Sequence, residues 1–345
     1  MSRSRRVGPH IRRVWRALLT LAACLAMAAP AAAQRTHVLI VSGISGEPRF
    51  AAQWDAWSRS LASGLERAGV SSDDIVRLAE RAGNGIAARS TKDDLGRQVL
   101  RIGAAAGPDD QVLLVFFGHG SGSGGDARIN LPGPDVTARE LGVMLQSFST
   151  QRVVVVNAAS ASGDFLEPLA GRNRVIITAT RSAGQNNETV FGEHFAAAFA
   201  SGNADTDKDG RISLLEAFEY ARLEVERVYS STNRMRTEHA LLDATGDGAG
   251  VTEPVAGGAD AEVAGSIFFG SGGAAARAGA AAPAGASAEL RALYERRAET
   301  QSRIDALRAR RDRMSQPQYE QELEALLVEL ATINQSIRRM EGGDR

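Results

Sequence analysis

The sequence predicts an α/β protein: a mostly parallel sheet with helices on both faces, followed by a C-terminal α-helical hairpin. Three observations predict it. Unbroken Val/Ile/Leu runs, His37–Val41, Val112–Phe117 and Val153–Asn157, alternate with stretches of helical spacing. Such runs suit strands buried on both faces, the signature of βαβ units. Residues 271–287 are almost entirely Gly, Ala and Ser, which predicts a flexible linker. After the linker, apolar residues recur at helical spacing between many Arg and Glu.

In chain order, the first segment is a targeting signal. Ser2 to Arg16 is strongly basic, and Ala17 to Ala29 is apolar but too short for a permanent bilayer-spanning helix. Ala31-Ala32-Ala33 before Gln34 is a small-residue cleavage site. This predicts a bacterial secretory signal over residues 1–33, a periplasmic or secreted product, and no membrane anchor after cleavage. A rival is a lipoprotein box, Leu21-Ala22-Ala23-Cys24, which would leave a lipidated Cys24 behind a short apolar run. Cys24 is the only cysteine, so cleavage after Ala33 leaves no thiol and no disulfide framework. A formal net charge of −1 argues against a dedicated nucleic-acid binder.

The main domain is expected over 34–270. His37–Val41 is a strand ending at Ser42-Gly43; Trp54 to Ala68 is a helix capped by Gly69. Ile75–Leu78 is a short strand, Asp93 to Ala106 a helix, Val112–Phe117 a strand and Thr137 to Phe148 a helix. Val153–Asn157 and Val175–Thr180 follow as strands, Val190–Ser201 and Leu214–Val228 as helices, and Ile267–Phe269 as a last strand. From 288 to 341, Leu290, Leu293, Ile304 and Leu307, then Leu323, Leu326, Leu327, Leu330, Ile333 and Ile337, form an apolar stripe. Pro317 interrupts it, so the region reads as an antiparallel hairpin bent near Ser315-Gln316-Pro317. It is either a dimerisation or partner-docking arm, or a hairpin packed on its own domain.

Sites in parallel sheets form at the carboxyl ends of the strands. Two tips carry chemistry: Gly118-His119-Gly120-Ser121, and Asn157-Ala158-Ala159-Ser160-Ala161-Ser162-Gly163. A His-Gly tip followed by a second tip with Ala-Ser-Ala-Ser-Gly resembles the legumain and caspase family of cysteine peptidases, with Ser160 in place of the nucleophilic cysteine. The resemblance covers about residues 36–195 and includes His37 to Gly43, Glu66 to Val76, Asp109 to Ser121 and Ile177 to Ala183. It implies His119 as the acid–base, Gly120 and Ser160 N–H groups facing an oxyanion, and Arg49 and Thr180 in the substrate-binding groove. It also implies a peptide or protein ligand. Two departures bear on activity: serine for cysteine, and Ala158 where an acidic residue is expected. A hydroxyl needs a strong, oriented base, whereas a thiol already forms some thiolate near neutral pH. The expectation is a catalytically inactive or weakened peptidase-like binding or scaffolding protein. The alternatives are an active hydrolase using Ser160 and His119, and a structural envelope protein acting through its hairpin.

Asp205-Thr206-Asp207-Lys208-Asp209-Gly210-Arg211-Ile212-Ser213-Leu214-Leu215-Glu216 matches an EF-hand loop. Asp205, Asp207 and Asp209 stand at loop positions one, three and five, Gly210 at the turn, and the Arg211 carbonyl at seven. Ser213 stands at nine and Glu216 supplies the bidentate carboxylate at twelve. The expected cofactor is Ca²⁺, bound with modest affinity because the loop is unpaired. Asp243 to Gly248 begins like a second loop, but position twelve is Pro254, so it reads as a flexible turn.

Overall fold

A computed structural model describes residues 34–83, 85–122, 126–270, 286–308 and 314–342. The signal segment, Cys24 and most of the Gly/Ala linker lie outside the described residues.

The strands are β1 (Thr36–Ser42), β2 (Ile75–Ala79), β3 (Ala88–Arg89), β4 (Gln111–Phe117), β5 (Gly120–Ser121), β6 (Arg128–Ile129), β7 (Val136–Thr137), β8 (Arg152–Asn157), β9 (Arg174–Thr178) and β10 (Leu241–Asp243). Seven of them form one sheet in the order β10-β9-β8-β4-β1-β2-β3. Every pairing in it is parallel except β9 with β10. β5, β6 and β7 make a small antiparallel sheet immediately after β4.

The apolar runs are buried on both faces because successive side chains point to opposite sides. Val38 and Ile40, Leu113 and Val115, and Val154 and Val156 enter one core. There they meet α1 (Pro48–Arg67), α5 (Phe191–Ser201) and α6 (Leu214–Ser231) through Trp54, Trp57, Leu61, Phe195 and Phe218. Leu39 and Val41, Leu114 and Phe116, and Val153 and Val155 enter the other core, against α2 (Lys92–Ala105), α3 (Ala138–Met144) and α4 (Leu166–Leu169). Each fully buried Val, Leu, Ile or Phe is worth about 1.5–3 kcal/mol over its exposed state, so a one-residue slip of register is prohibitive.

Local chemistry sets the helix ends. α1 begins six residues earlier than Trp54, because Pro48 at its first turn lacks the N–H that would otherwise be orphaned. Thr91 caps α2 by accepting from Asp94 N–H, and Thr137 caps α3 through a reciprocal capping box with Glu140. The expected last strand at Ile267–Phe269 does not join the sheet. Its carbonyls are taken by Leu214 N–H (2.8 Å, on Ile267) and by the Gln111 side-chain amide (2.6 Å, on Phe268). Ile267 and Phe269 are buried, which gives the segment the alternation of a strand. The seventh strand is β10, too short to announce itself. Ahead of the linker, α7 (Ala259–Gly265) packs on α6.

α8 (Ala288–Arg308) and α9 (Gln316–Gly342) form the expected antiparallel hairpin. Ile304, Leu307, Leu326 and Leu330 make one small core, and Tyr294, Ile333 and Ile337 another. Both cores consist of hairpin residues alone. Among the described residues, a hydrogen bond reaches the domain from Asn334 Nδ2 to the Lys208 carbonyl (3.2 Å). No described helix is long and apolar enough to cross a membrane.

Candidate functional site

The β4 tip and the β8 tip meet, as parallel neighbours must. Asn157 ends β8 fully buried, and its Oδ1 accepts from Ala159 N–H (3.2 Å), which starts the turn. Ala161 then adopts φ 54°, a conformation costly for a residue with a Cβ and common at functional turns. Its N–H donates to the Gln185 carbonyl (2.9 Å), which holds it there. Gly163 is obligatory, since a Cβ would lie 2.1 Å from the Arg181 carbonyl carbon.

Ser160 is only 2% exposed. Its hydroxyl accepts from Gly120 N–H (3.1 Å) and donates to the Gly120 carbonyl (3.3 Å). Gly120 is needed for that approach, because a Cβ there would stand 2.1 Å from the Ser160 carbonyl oxygen. Thus His119's neighbour and Ser160 are locked together, and the Gly120 N–H faces the Ser160 hydroxyl.

The His119 imidazole points elsewhere. It sits half-buried against α1, edge-on to Phe50 (4.7 Å between centroids) and Trp54 (5.0 Å), with the Ser45 backbone nearby. Burial holds it below the ordinary histidine range, opposed by the negative charges of Glu188 and Glu47. Among the described residues no hydrogen bond joins it to Ser160. Arg49 is exposed and bridges the same two acids, Nε to Glu47 (2.9 Å) and Nη2 to Glu188 (3.1 Å), while its guanidinium covers the Phe50 ring at 4.4 Å. Arg49 therefore does lie beside His119. Thr180 does not offer a surface: it is fully buried, its Oγ1 accepts from Gly163 N–H (3.0 Å) and meets Ser162 Oγ (3.2 Å), and its N–H donates to Ser162 Oγ (3.1 Å). Thr180 shapes the Ser160 turn from behind. Ala158 is 1% exposed beneath α5, where an acidic side chain has no room.

Sequence reasoning missed the carboxylates near His119. Glu47 could have been found, since Glu47-Pro48-Arg49 follows β1 at the same sheet end. Glu188 lies in the long β9–α5 connection, and no local pattern marks it.

The acidic loop lies between α5 and α6, away from these tips. Carboxylate oxygens of Asp205, Asp207 and Asp209 come within 4.8 Å of one another. Asp205 Oδ1 is buried with no hydrogen-bond partner among the described residues, while Oδ2 accepts from Gly210 N–H (3.1 Å). Burial, with Asp207 adding, pushes the Asp209 carboxyl up to about 6. Asp209 also accepts from Arg211 N–H (2.7 Å) and pairs with its guanidinium (3.2 Å), which stacks 3.9 Å over Phe268. Glu216 reaches across the loop: Oε1 accepts from Thr206 N–H (2.9 Å), and Oε2 accepts from Ser213 N–H (2.9 Å) and Oγ (2.8 Å), capping α6. Converging carboxylates, with Asp205 and Asp209 raised by burial and Asp205 carrying an orphaned oxygen, fit a hard divalent cation. The Asp243 turn is organised differently. Asp243 is fully buried and accepts from Gly246 N–H (2.7 Å) and Gly248 N–H (2.8 Å), so its oxygens serve the backbone and the turn is held fast.

No family model matches this chain, and no curated protein does. Among solved structures it is similar to a Geobacter sulfurreducens protein, with TM-score 0.42 and 13% identity, over 64% of this chain and 95% of that one. It is also similar to Raptor from Chaetomium thermophilum, with TM-score 0.35 and 10% identity, over 60% of this chain and 20% of that one.

Proposed function

We propose that this chain is a secreted binding or scaffolding protein on a legumain- or caspase-like framework, with catalysis lost or much weakened, stabilised by Ca²⁺ in the 205–216 loop. The observation that carries the reading is the state of Ser160. Its hydroxyl is buried and closed on Gly120, while His119 is turned to Ser45 and the α1 aromatics. A serine nucleophile requires a base within hydrogen-bond reach of its proton, and the nearest acceptor here is a backbone carbonyl.

Beside His119, the exposed side chains of Arg49, Glu47 and Glu188 offer both charge signs to a peptide ligand. In the loop, Asp205, Asp207, Asp209 and Glu216 would supply carboxylates, with Arg211 through its carbonyl and Ser213 at position nine. The cation would neutralise acids that burial otherwise penalises.

One observation favours the active-hydrolase alternative. Glu188 and Glu47 supply the negative charge that a histidine base needs when it becomes imidazolium.

The deciding experiment is hydrolysis of a mixed fluorogenic peptide library by the protein, with and without Ca²⁺, beside Ser160→Ala. The expected result is no turnover by either protein. Turnover that Ser160→Ala abolishes would sink the binding-protein reading.

A further inference from the structure

A cavity of about 280 Å³ opens between the end of β9, the start of α5, the side of α6 and the segment leading into β10. Neither His119 nor Ser160 lines it. Its floor is apolar, with Phe191 and Val225, and its charged wall carries Arg181, Arg222 and Arg236. We propose that this cavity binds a small organic oxyanion, a dicarboxylate or a phosphate monoester, through these three guanidinium groups.

The cations there are not matched by their own neighbours. Arg181 has no ion pair among the described residues. Arg222 Nη1 stands 3.6 Å from Glu253 and 3.9 Å from Glu226, and Arg236 Nη1 stands 3.9 Å from Glu226. Those distances exceed a hydrogen bond, and the Glu253 and Glu226 side chains are 75% and 53% exposed, so water screens them. The other acid in the wall, Glu238, is spent. Its carboxylate accepts from Val190 N–H (3.0 Å) and Phe191 N–H (3.1 Å), capping α5 from a distant segment.

Arg222 also carries an unpaired buried group. Arg222 Nε is buried with no hydrogen-bond partner among the described residues. Buried polar groups are almost always paired, so an orphan here marks an unusual arginine. The arginine pair's field reaches His239, whose imidazole is held below the ordinary range first by burial, then by Arg236 and Arg181.

The backbone at Arg181 and the ring of His239 are tied together before any ligand arrives. Gln185 accepts from Arg181 N–H (2.8 Å) and donates from Nε2 to His239 Nδ1 (2.6 Å). That second bond leaves the His239 proton on Nε2, as another donor for an anion. The Gln185 carbonyl holds Ala161, so the pocket wall and the Ser160 turn share one brace. Guanidinium forks suit planar or tetrahedral oxyanions. The volume sits just under the ~300 Å³ at which ligand pockets usually begin, so the ligand is compact.

The test is isothermal titration of the protein at low ionic strength with two probes, inorganic phosphate and succinate, beside Arg222→Gln, Arg181→Gln and the remote control Arg139→Gln. Saturable binding of one probe per chain is expected, weakened about tenfold or more by each pocket substitution and unchanged by the control. Preference for phosphate assigns a phosphate monoester, and preference for succinate a dicarboxylate. No saturable binding of either probe, or binding that the pocket substitutions leave unchanged, would overturn the proposal. The exposed, unpaired Arg181 is safe to replace, so Arg181→Gln decides the matter if Arg222→Gln fails to fold.

Discussion

Replacing Gly120 by alanine tests whether the two strand tips are locked as the geometry states. The added Cβ would lie 2.1 Å from the Ser160 carbonyl oxygen and 3.1 Å from that of Arg128. Ordinary C···O contacts begin near 3.3 Å, so the Ser160 turn and β5 must part by roughly 1 Å. Both acceptor and donor distances between Ser160 and Gly120, now 3.1 and 3.3 Å, then exceed hydrogen-bond range. Two lost bonds at ~1 kcal/mol each, plus ~1 kcal/mol or more of overpacking strain, give a destabilisation of about 3 kcal/mol. Urea unfolding is the assay: the midpoint should fall with an unchanged m-value. Gly184→Ala is the control. Its Cβ would meet only Ser182 Oγ at an ordinary 3.5 Å, so a change within ~0.5 kcal/mol is expected. If Gly120→Ala proved as stable as Gly184→Ala, the tips would not be locked, and Ser160 would be freer than described.

Two further outcomes follow from buried carboxylates. With metal chelated, Asp209 has a folded pKa of about 6 against the ordinary 3.8. A raised carboxyl contributes stability that is full below about pH 4 and lost as pH rises through about 6. That window is worth about 3 kcal/mol at ~1.4 kcal/mol per unit. Urea unfolding in chelator at pH 4 and 7 should show the loss, Asp209→Asn should flatten it, and Ca²⁺ at pH 7 should restore stability to the parent but not to Asp209→Asn; a flat parent profile would refute the burial argument. Glu238→Ala should cost about 3 kcal/mol in the same assay, because it strands the N–H groups of Val190 and Phe191 at the start of α5; a cost under 1 kcal/mol would mean water satisfies them.

The parallel core was legible because strands buried on both faces need unbroken apolar runs, and β1, β4 and β8 consist of them. The hairpin was legible for the same reason at helical spacing, down to each stripe residue. β10 was not, because three residues carry no period, and Ile267–Phe269 imitated a strand because it buries alternate side chains while its carbonyls serve α6 and Gln111. The site was half legible. His119, Gly120 and Ser160 were marked by their places at strand ends, and Arg49 by the family resemblance alone. Sequence could not show that Thr180 faces inward, or that Glu188 arrives from a long connection, since both depend on how a loop returns. The arginine cavity had no local signature at all: its cations come from 181, 222 and 236, three separate elements.

The serine itself explains why this turn can close. A hydroxyl both donates and accepts, so Ser160 satisfies the Gly120 N–H and carbonyl together in a buried place. A thiol does each weakly and is larger. Ser160→Cys, made with Cys24→Ala so that one thiol remains, therefore exchanges two hydrogen bonds for crowding. It also lacks an activating partner. Burial disfavours the protonated His119 that would stabilise a thiolate, and the imidazole faces Ser45. The new thiol should react with iodoacetamide at pH 7.5 at least tenfold more slowly in the folded protein than in urea, where its pKa is near the ordinary 8.5. Faster labelling in the folded state would mean an accessible, low-pKa thiolate. The His119 arrangement would then still be able to activate a nucleophile, against the reading proposed.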